Sequence, residues 1–407
     1  MAFIESGRVS GEYDRGTGGG RVSLLGSLLD ESVESAMRRE RTAFDEIAAP
    51  HENRLVLFGA GGFGRRTLAG LRTVGIEPLA FVDNNQSMWG RKVDGLRVIP
   101  PTAAAAEFGE TAVFVITVWS GQAKDCMADR VRQLRELGCV RVAPAGLLFW
   151  KYPKVFLPYY ALDLPHKLLP RADAVYRAYE MFADEASRAE YTSQVAFRLH
   201  LDYGALARPG AEEHYFPPLF RIRADEFFVD CGAFDGDTIR ALAGITGANF
   251  NRIVAFEPDP LNWPRLQLAV EGFPPEIRAK IECHPKALGA ESGTIQFDST
   301  GTDLAASGTG ALSVDCVALD DALAGREPTM IKFDIEGAEL LAIRGGKATI
   351  QRHHPLLAVS AYHRQSHLWE IPLAIAEIWR EYRFALRPHS AEGWDLVCYA
   401  IPQERCL

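Results

Sequence analysis

The chain has 407 residues, 47% of them hydrophobic and 24% charged, with a formal net charge of -9. That length predicts two domains rather than one core, and the acidic balance argues against a general polyanion binder, whose phosphate contacts need clustered Lys and Arg. There is no apolar run of about 18 residues to span a membrane and no apolar signal core at the N-terminus, so a cytoplasmic protein is expected.

Residues 1–50 begin with a Gly/Ser/Arg-rich stretch, Gly11 to Ser23, that reads as disordered. Leu24 to Ile47 then has apolar residues at helical spacing, which predicts one or two exposed helices. Seven cysteines (126, 139, 231, 283, 316, 398 and 406) are scattered without a Cys-x-x-Cys pair. They read as free thiols of a reducing compartment, and a structural zinc is not expected.

Residues 51–150 alternate strand and helix. The strand Leu55-Val-Leu-Phe runs into Gly59-Ala-Gly61-Gly62-Phe63-Gly64, a helix follows from Arg65 to Val74, and a second strand, Leu79-Ala-Phe-Val, ends in Asp83. Later strands are predicted at 97–99, 112–118 and 140–143. A Gly-x-Gly-x-x-Gly turn between strand and helix, followed by an acid at the next strand end, predicts a Rossmann-like unit that holds a nucleotide. The competing account is that the glycines only shape the turn and Asp83-Asn84-Asn85 only caps the next segment. Phe81-Val-Asp-Asn-Asn with Trp89-Gly90 and Val93-Asp-Gly95 resembles the small nucleotide- or sugar-nucleotide-binding domains fused to carbohydrate-modifying enzymes. No nearby His, Lys or Tyr set suits hydride transfer.

Residues 151–222 shift in composition. Prolines 153, 158, 165 and 170 predict an extended linker, and Ala172 to Leu201 reads as helix. Asp184-Glu-Ala-Ser187-Arg188 with Tyr191 is, by spacing alone, a solvated helix face carrying an internal Arg–Asp pair.

Residues 223–407 read as one doubly wound domain. Its strands are predicted near 226–230, 252–256, 279–283, 329–334, 356–362, 382–386 and 395–401, the last two as an antiparallel edge hairpin. Gly293 to Phe297 and Ala311 to Asp315 predict an inserted hairpin, with a mobile loop from Asp298 to Gly310 over the site. The first strand ends in Asp230-Cys231-Gly232-Ala233-Phe234-Asp235-Gly236-Asp237-Thr238, and the second ends in Glu257-Pro258-Asp259. The first turn lets backbone N–H groups approach a ligand, and an acid such as Glu257 can accept both hydroxyls of a ribose. Alternation places Lys332, Asp334 and Glu336 on one face of the fourth strand. Three charges on a central parallel strand predict an opening into a site; a structural Lys–carboxylate cluster is the alternative.

The segment Asp225 to Pro402 resembles the FkbM family of S-adenosylmethionine-dependent methyltransferases. The resemblance is carried by Val229-Asp-Cys-Gly, Ala255-Phe-Glu-Pro-Asp, Ala287-Leu-Gly, Leu319-Asp320, Ile331-Lys-Phe-Asp-Ile-Glu-Gly-Ala-Glu339, Ala361-Tyr-His363 and Trp369-Glu-Ile-Pro. It implies an α/β protein of two doubly wound Rossmann-like domains, the second a class I methyltransferase fold, joined by a helical linker that caps the acceptor pocket. The implied activity is O-methylation of a hydroxyl on a sugar or secondary metabolite. The rival accounts are a bifunctional protein with a nucleotide- or NAD-dependent step in the first domain, and a non-catalytic SAM- or nucleotide-binding protein.

The resemblance places the donor at Asp230, Gly232, Ala233, Phe234, Gly236, Thr238, Glu257, Pro258, Lys286, Ala287 and Asp334. It makes Asp334, Glu336 and His363 the catalytic candidates, with His363 either the base or a hydrogen-bonded structural histidine. His367 stands where related sequences carry an acid, which leaves that position without an implied role. No regular metal-ligand spacing is present, so no metal site is assigned; magnesium or manganese on Asp334, Glu336 and a neighbouring carboxylate is the other route to hydroxyl activation. The implied partner is a small-molecule acceptor, with no nucleic acid and no membrane.

Overall fold

The computed structural model describes residues 19–121, 126–207, 209, 214–298, 306–307 and 312–407. The chain divides into two compact units: residues up to Ala172 with Ala189–Pro209 and Ser390–Trp394, and Asp173–Arg188 with Gly210–His389 and Asp395–Leu407. Among the described residues no helix is long and apolar enough to cross a membrane.

In the first unit the strands are β1 (Leu55–Phe58), β2 (Ala80–Val82), β3 (Lys92–Val93), β4 (Leu96–Ile99), β5 (Val113–Ile116) and β6 (Arg141–Pro144), in the spatial order β3-β4-β2-β1-β5-β6. All pairings are parallel except the short β3–β4 hairpin, which the spacing did not reveal. The apolar β1 and β5 are buried along their whole length, as expected of central parallel strands. Gly64 opens the first helical turn of Gly62–Thr73, where a Cβ would lie 1.9 Å from Gly59 O, so only glycine allows this packing.

Two expectations need correction. The N-terminal helices Gly19–Leu29 and Val33–Ala48 are not exposed: Leu25, Ala36, Phe44 and Ala48 are buried, and Phe44 joins the core of this unit. Helix Gly19–Leu29 begins inside the stretch expected to be disordered, whose residues up to 18 lie outside the described ones. The proline-rich stretch is not an extended linker either. Its prolines start the short helix Pro153–Phe156 and the 3-10 turns Pro165–Lys167 and Leu169–Arg171, as proline does where no backbone N–H is needed, and Phe156 and Leu162 are buried in the core.

In the second unit the main sheet runs β16-β17-β15-β14-β7-β8-β9. Its members are β7 (Phe227–Cys231), β8 (Arg252–Phe256), β9 (Ile281–His284), β14 (Met330–Phe333), β15 (Leu356–Ser360), β16 (Arg383–Pro388) and β17 (Leu396–Ile401). β9, β8, β7, β14 and β15 are parallel, whereas β17 is antiparallel to both its neighbours. The chain reverses its direction of travel across the sheet between β7 and β14, which is where open α/β sheets hold ligands. A second sheet, β10-β13-β11-β12, joins β10 (Ala287–Gly289), β11 (Gly293–Asp298), β12 (Ala306–Ser307) and β13 (Leu312–Ala318). The predicted hairpin is thus β11 with β13, in register from Gly293↔Cys316 to Phe297↔Leu312. Of the loop from Asp298 to Gly310, residues 299–305 and 308–310 lie outside the described ones.

The helix expected from Ala172 to Leu201 is two helices, Ala172–Met181 and Glu185–His200. They break where Phe182 bridges to Phe384 and Asp184 accepts the N–H of Ser187. Ser187 Oγ accepts the Leu386 N–H at 2.9 Å, and Arg387 reaches both Ser187 and Asp184. These residues cover the edge strand β16 with polar partners, which blunts an otherwise open edge.

Candidate active site

The site is built at the β7–β14 boundary. Lys332 on β14 is in register with Asp230 on β7, and both are buried. The ammonium lies 3.0 Å from Asp230 Oδ1 and donates to Gly232 O at 2.6 Å, with the Tyr215 ring over it. Burial works against this cation, but Asp230, Asp334 and Asp237 outweigh it and hold its pKa above the usual lysine value. Gly232 has a φ of +94°, and a Cβ there would meet Asp334 O at 1.9 Å, so the turn accepts glycine alone.

Gly232 N and Ala233 N donate to Phe256 O, which ties the turn to the end of β8. Glu257 closes the other side: its Oε2 accepts Phe234 N at 2.8 Å and its Oε1 accepts Asp259 N at 2.9 Å. Burial pushes the Glu257 carboxyl up to about 7, opposed by those two N–H groups. In front of this carboxylate lies an open cleft.

Of the residues expected at a donor site, Gly232, Phe234, Glu257, Pro258, Lys286, Ala287 and Asp334 line the cleft. Asp230 and Ala233 lie buried behind the turn, where they hold it. Gly236 precedes the helix Asp237–Thr246 with a φ of +82°, and Thr238 faces a second cleft beside His214, Tyr215 and Asp237. The lining also includes Leu288 and Ile335, which lie within the quoted motifs without an assigned role, and Asn262 and Phe297, which motif spacing gave no means of finding.

Beyond β14 the expectation of three charges on one strand face is corrected. The strand stops at Phe333, and Glu336 sits in the following loop with a φ of +53°. Asp334 and Glu336 both line the cleft. Asp334 Oδ2 accepts the Tyr215 hydroxyl at 2.7 Å. His363 does not reach the cleft: its side chain is 1% exposed, with Nε2 3.4 Å from Asp334 Oδ1 and 3.5 Å from Glu336 Oε1. Its Nδ1 meets Glu339 Oε1 at 2.8 Å, and His367 Nδ1 lies 3.3 Å from Glu339 Oε2. Burial disfavours the His363 imidazolium, but Glu339 and Glu336 outweigh it and hold its pKa well above the ordinary histidine value. Burial pushes the Glu336 carboxyl up to about 7, with His363 opposing.

Residues 230–386 match the family described as the methyltransferase FkbM domain. They form an FkbM-type methyltransferase domain. A solved structure of methyltransferase FkbM from Methylobacillus flagellatus KT is 23% identical, with a TM-score of 0.74 over 94% of this chain and 98% of that one, and shows the same fold. A putative rRNA methylase from Clostridium thermocellum is 10% identical, with a TM-score of 0.29 over 45% of this chain and 90% of its own. Fibrillarin from Aeropyrum pernix, solved with natively bound S-adenosyl-L-methionine, is 12% identical, with a TM-score of 0.25 over 44% of this chain and 67% of that one. Superpositions this weak carry no functional argument. No curated protein matches the sequence.

Glu339, His367 and, upstream of the matched span, Tyr215 were legible only as letters of a motif or as an upstream aromatic, yet Glu339 touches His363, Tyr215 touches Asp334, and His367 lies beside Glu339. In the first unit, Gly59 (φ +118°), Gly61, Gly62, Phe63 and Gly64 form the turn from β1 into Gly62–Thr73. Gly61 and Gly62 are exposed, and a Cβ on either would meet nothing within 4 Å. Asp83 braces this turn, accepting Ala60 N through Oδ2 and Asn85 N through Oδ1. Phe63 stacks on Tyr159 at 5.4 Å.

Proposed function

We propose that the FkbM domain transfers a methyl group from S-adenosylmethionine to a hydroxyl oxygen of a sugar or secondary metabolite. The observation that carries this reading is one cleft with Glu257 on one wall and Asp334 with Glu336 on the other. The residues present suit the donor: a carboxylate for the ribose hydroxyls, a glycine turn that admits close backbone approach, and the Lys286–Ala287 stretch for the base. When bound, the donor supplies a methyl group already activated on a sulfonium.

The chain's own work is then to hold and orient. Asp334, fixed by Tyr215, offers negative charge where the sulfonium would lie. The acceptor oxygen forms its new bond to carbon as the carbon–sulfur bond breaks, and its proton passes to Glu336, the carboxylate in the cleft. His363, held behind by Glu339, acts through Asp334 and Glu336 rather than on the acceptor. The first unit we read as the holder of a nucleotide or nucleotide-linked sugar, through the open N–H face at Gly61 and Gly62.

Calorimetric titration of S-adenosylmethionine tests the donor site: one site per chain, lost in Glu257→Ala, is expected. No detectable binding would sink the reading. Methyl incorporation across a panel of nucleotide sugars then tests the acceptor class.

A further inference from the structure

We propose that Asp334, Glu339 and His363 form a divalent-cation site beside the cleft. One ligand atom from each of the three side chains lies within 4.8 Å of the others. Small side-chain shifts bring such atoms to the roughly 3–4 Å mutual spacing that metal–ligand bonds of about 2.0–2.3 Å require.

Two oxygens in the cluster call for such a cation. Glu339 is 0% exposed, and its Oε1 is engaged by Ile335 N at 2.9 Å, Gly337 N at 3.3 Å and His363 Nδ1 at 2.8 Å. This pins the carboxylate and leaves Oε2 3.3 Å from His367 Nδ1. Glu339 Oε2 and Asp334 Oδ1 are both buried and, among the described residues, accept no hydrogen bond. Their nearest partners are imidazole nitrogens at ion-pair distance, His363 Nε2 at 3.4 Å from Asp334 Oδ1 and His367 Nδ1 at 3.3 Å from Glu339 Oε2. Three carboxylates (Asp334, Glu336 and Glu339) converge on His363, so the buried negative charge exceeds what one imidazole can balance. A cation answers both deficits at once.

Two carboxylates with one imidazole suit manganese(II), iron(II) or zinc(II) better than magnesium, which prefers oxygen alone. The sequence pointed to an oxygen-only set containing Glu336. The structure instead leaves Glu336 to line the cleft and supplies a nitrogen. For methyl transfer, a cation held here would act through Asp334, the one of its three ligands that lines the cleft. That consequence rests on the methyl-transfer reading; the binding of the cation does not.

The test titrates manganese(II) chloride into the full-length protein and follows bound ion by electron paramagnetic resonance. One bound ion per chain is expected, with modulation from an imidazole nitrogen in the spin-echo signal. Asp334→Asn and Glu339→Gln should weaken it by about tenfold or more while circular dichroism shows a folded chain. Absent binding, binding without the nitrogen signal, or unchanged binding in folded Asp334→Asn would each overturn the site. In those cases protons, not a cation, balance the cluster. If neither variant folds, the nitrogen signal of the native chain decides alone. Donor calorimetry separates the two claims: manganese binding without donor binding keeps the site and discards methyl transfer, and the converse does the reverse.

Discussion

Lys332 on β14 joins Asp230 on β7 to the carbonyl of Gly232, so one ammonium ties two neighbouring strands to the turn between strand and helix. Lys332→Met would leave the Asp230 carboxylate buried without its cation. Breaking a buried pair in this way costs about 3–5 kcal/mol. Urea unfolding should show that loss, and donor affinity should fall because the turn is no longer held. Unchanged stability would mean that Asp230 is neutral in the native chain.

Glu257 gives a pH dependence with a definite sign. Its carboxyl is raised to about 7 from an ordinary value of 4.5, so the native chain holds a proton there that the unfolded chain has released. The stabilising contribution is present below the unfolded value and is lost as pH rises through about 7, by up to about 3 kcal/mol. Glu257→Gln should flatten that part of the stability curve. Donor affinity should run the other way in the native chain, rising across neutral pH as the carboxylate becomes able to accept the ribose hydroxyls. Calorimetry across neutral pH checks both trends.

Glu336→Gln should lower kcat by about 10²–10⁴ while leaving the donor dissociation constant unchanged, since it removes a proton acceptor and keeps the shape. Equal loss of donor affinity would place Glu336 in the binding half of the cleft.

Ser187→Ala removes the acceptor of the Leu386 N–H, a buried pairing. The unsatisfied group should cost about 1–3 kcal/mol in thermal unfolding, with donor affinity untouched. A neutral result would mean that water replaces the hydroxyl at the edge of β16.

The central main-sheet strands of the second unit were legible because they are short runs of apolar residues bounded by turn residues, as in Phe227-Phe-Val and Leu356-Leu-Ala-Val. Glu257 was legible because its position depends only on the distance along one βαβ unit. Glu339 was not, since its role depends on a turn that brings it to His363, 24 residues away in sequence. Tyr215 was hidden for the same reason: 119 residues separate it from the carboxylate it contacts. The first unit misled in the opposite direction. Prolines that punctuate short buried helices have the same composition as prolines of a linker, and only packing distinguishes them.

The last main-sheet strand in chain order, β17, does not add to the rim of the sheet but inserts between β15 and β16. Until Leu396 to Ile401 are available, β15 and β16 each lack the neighbour that takes their backbone groups. A nascent chain stalled before that point carries two unfilled strand borders at once, open to other chains. Insertion of β17 is therefore the step that most determines whether the sheet closes on itself or pairs with other chains.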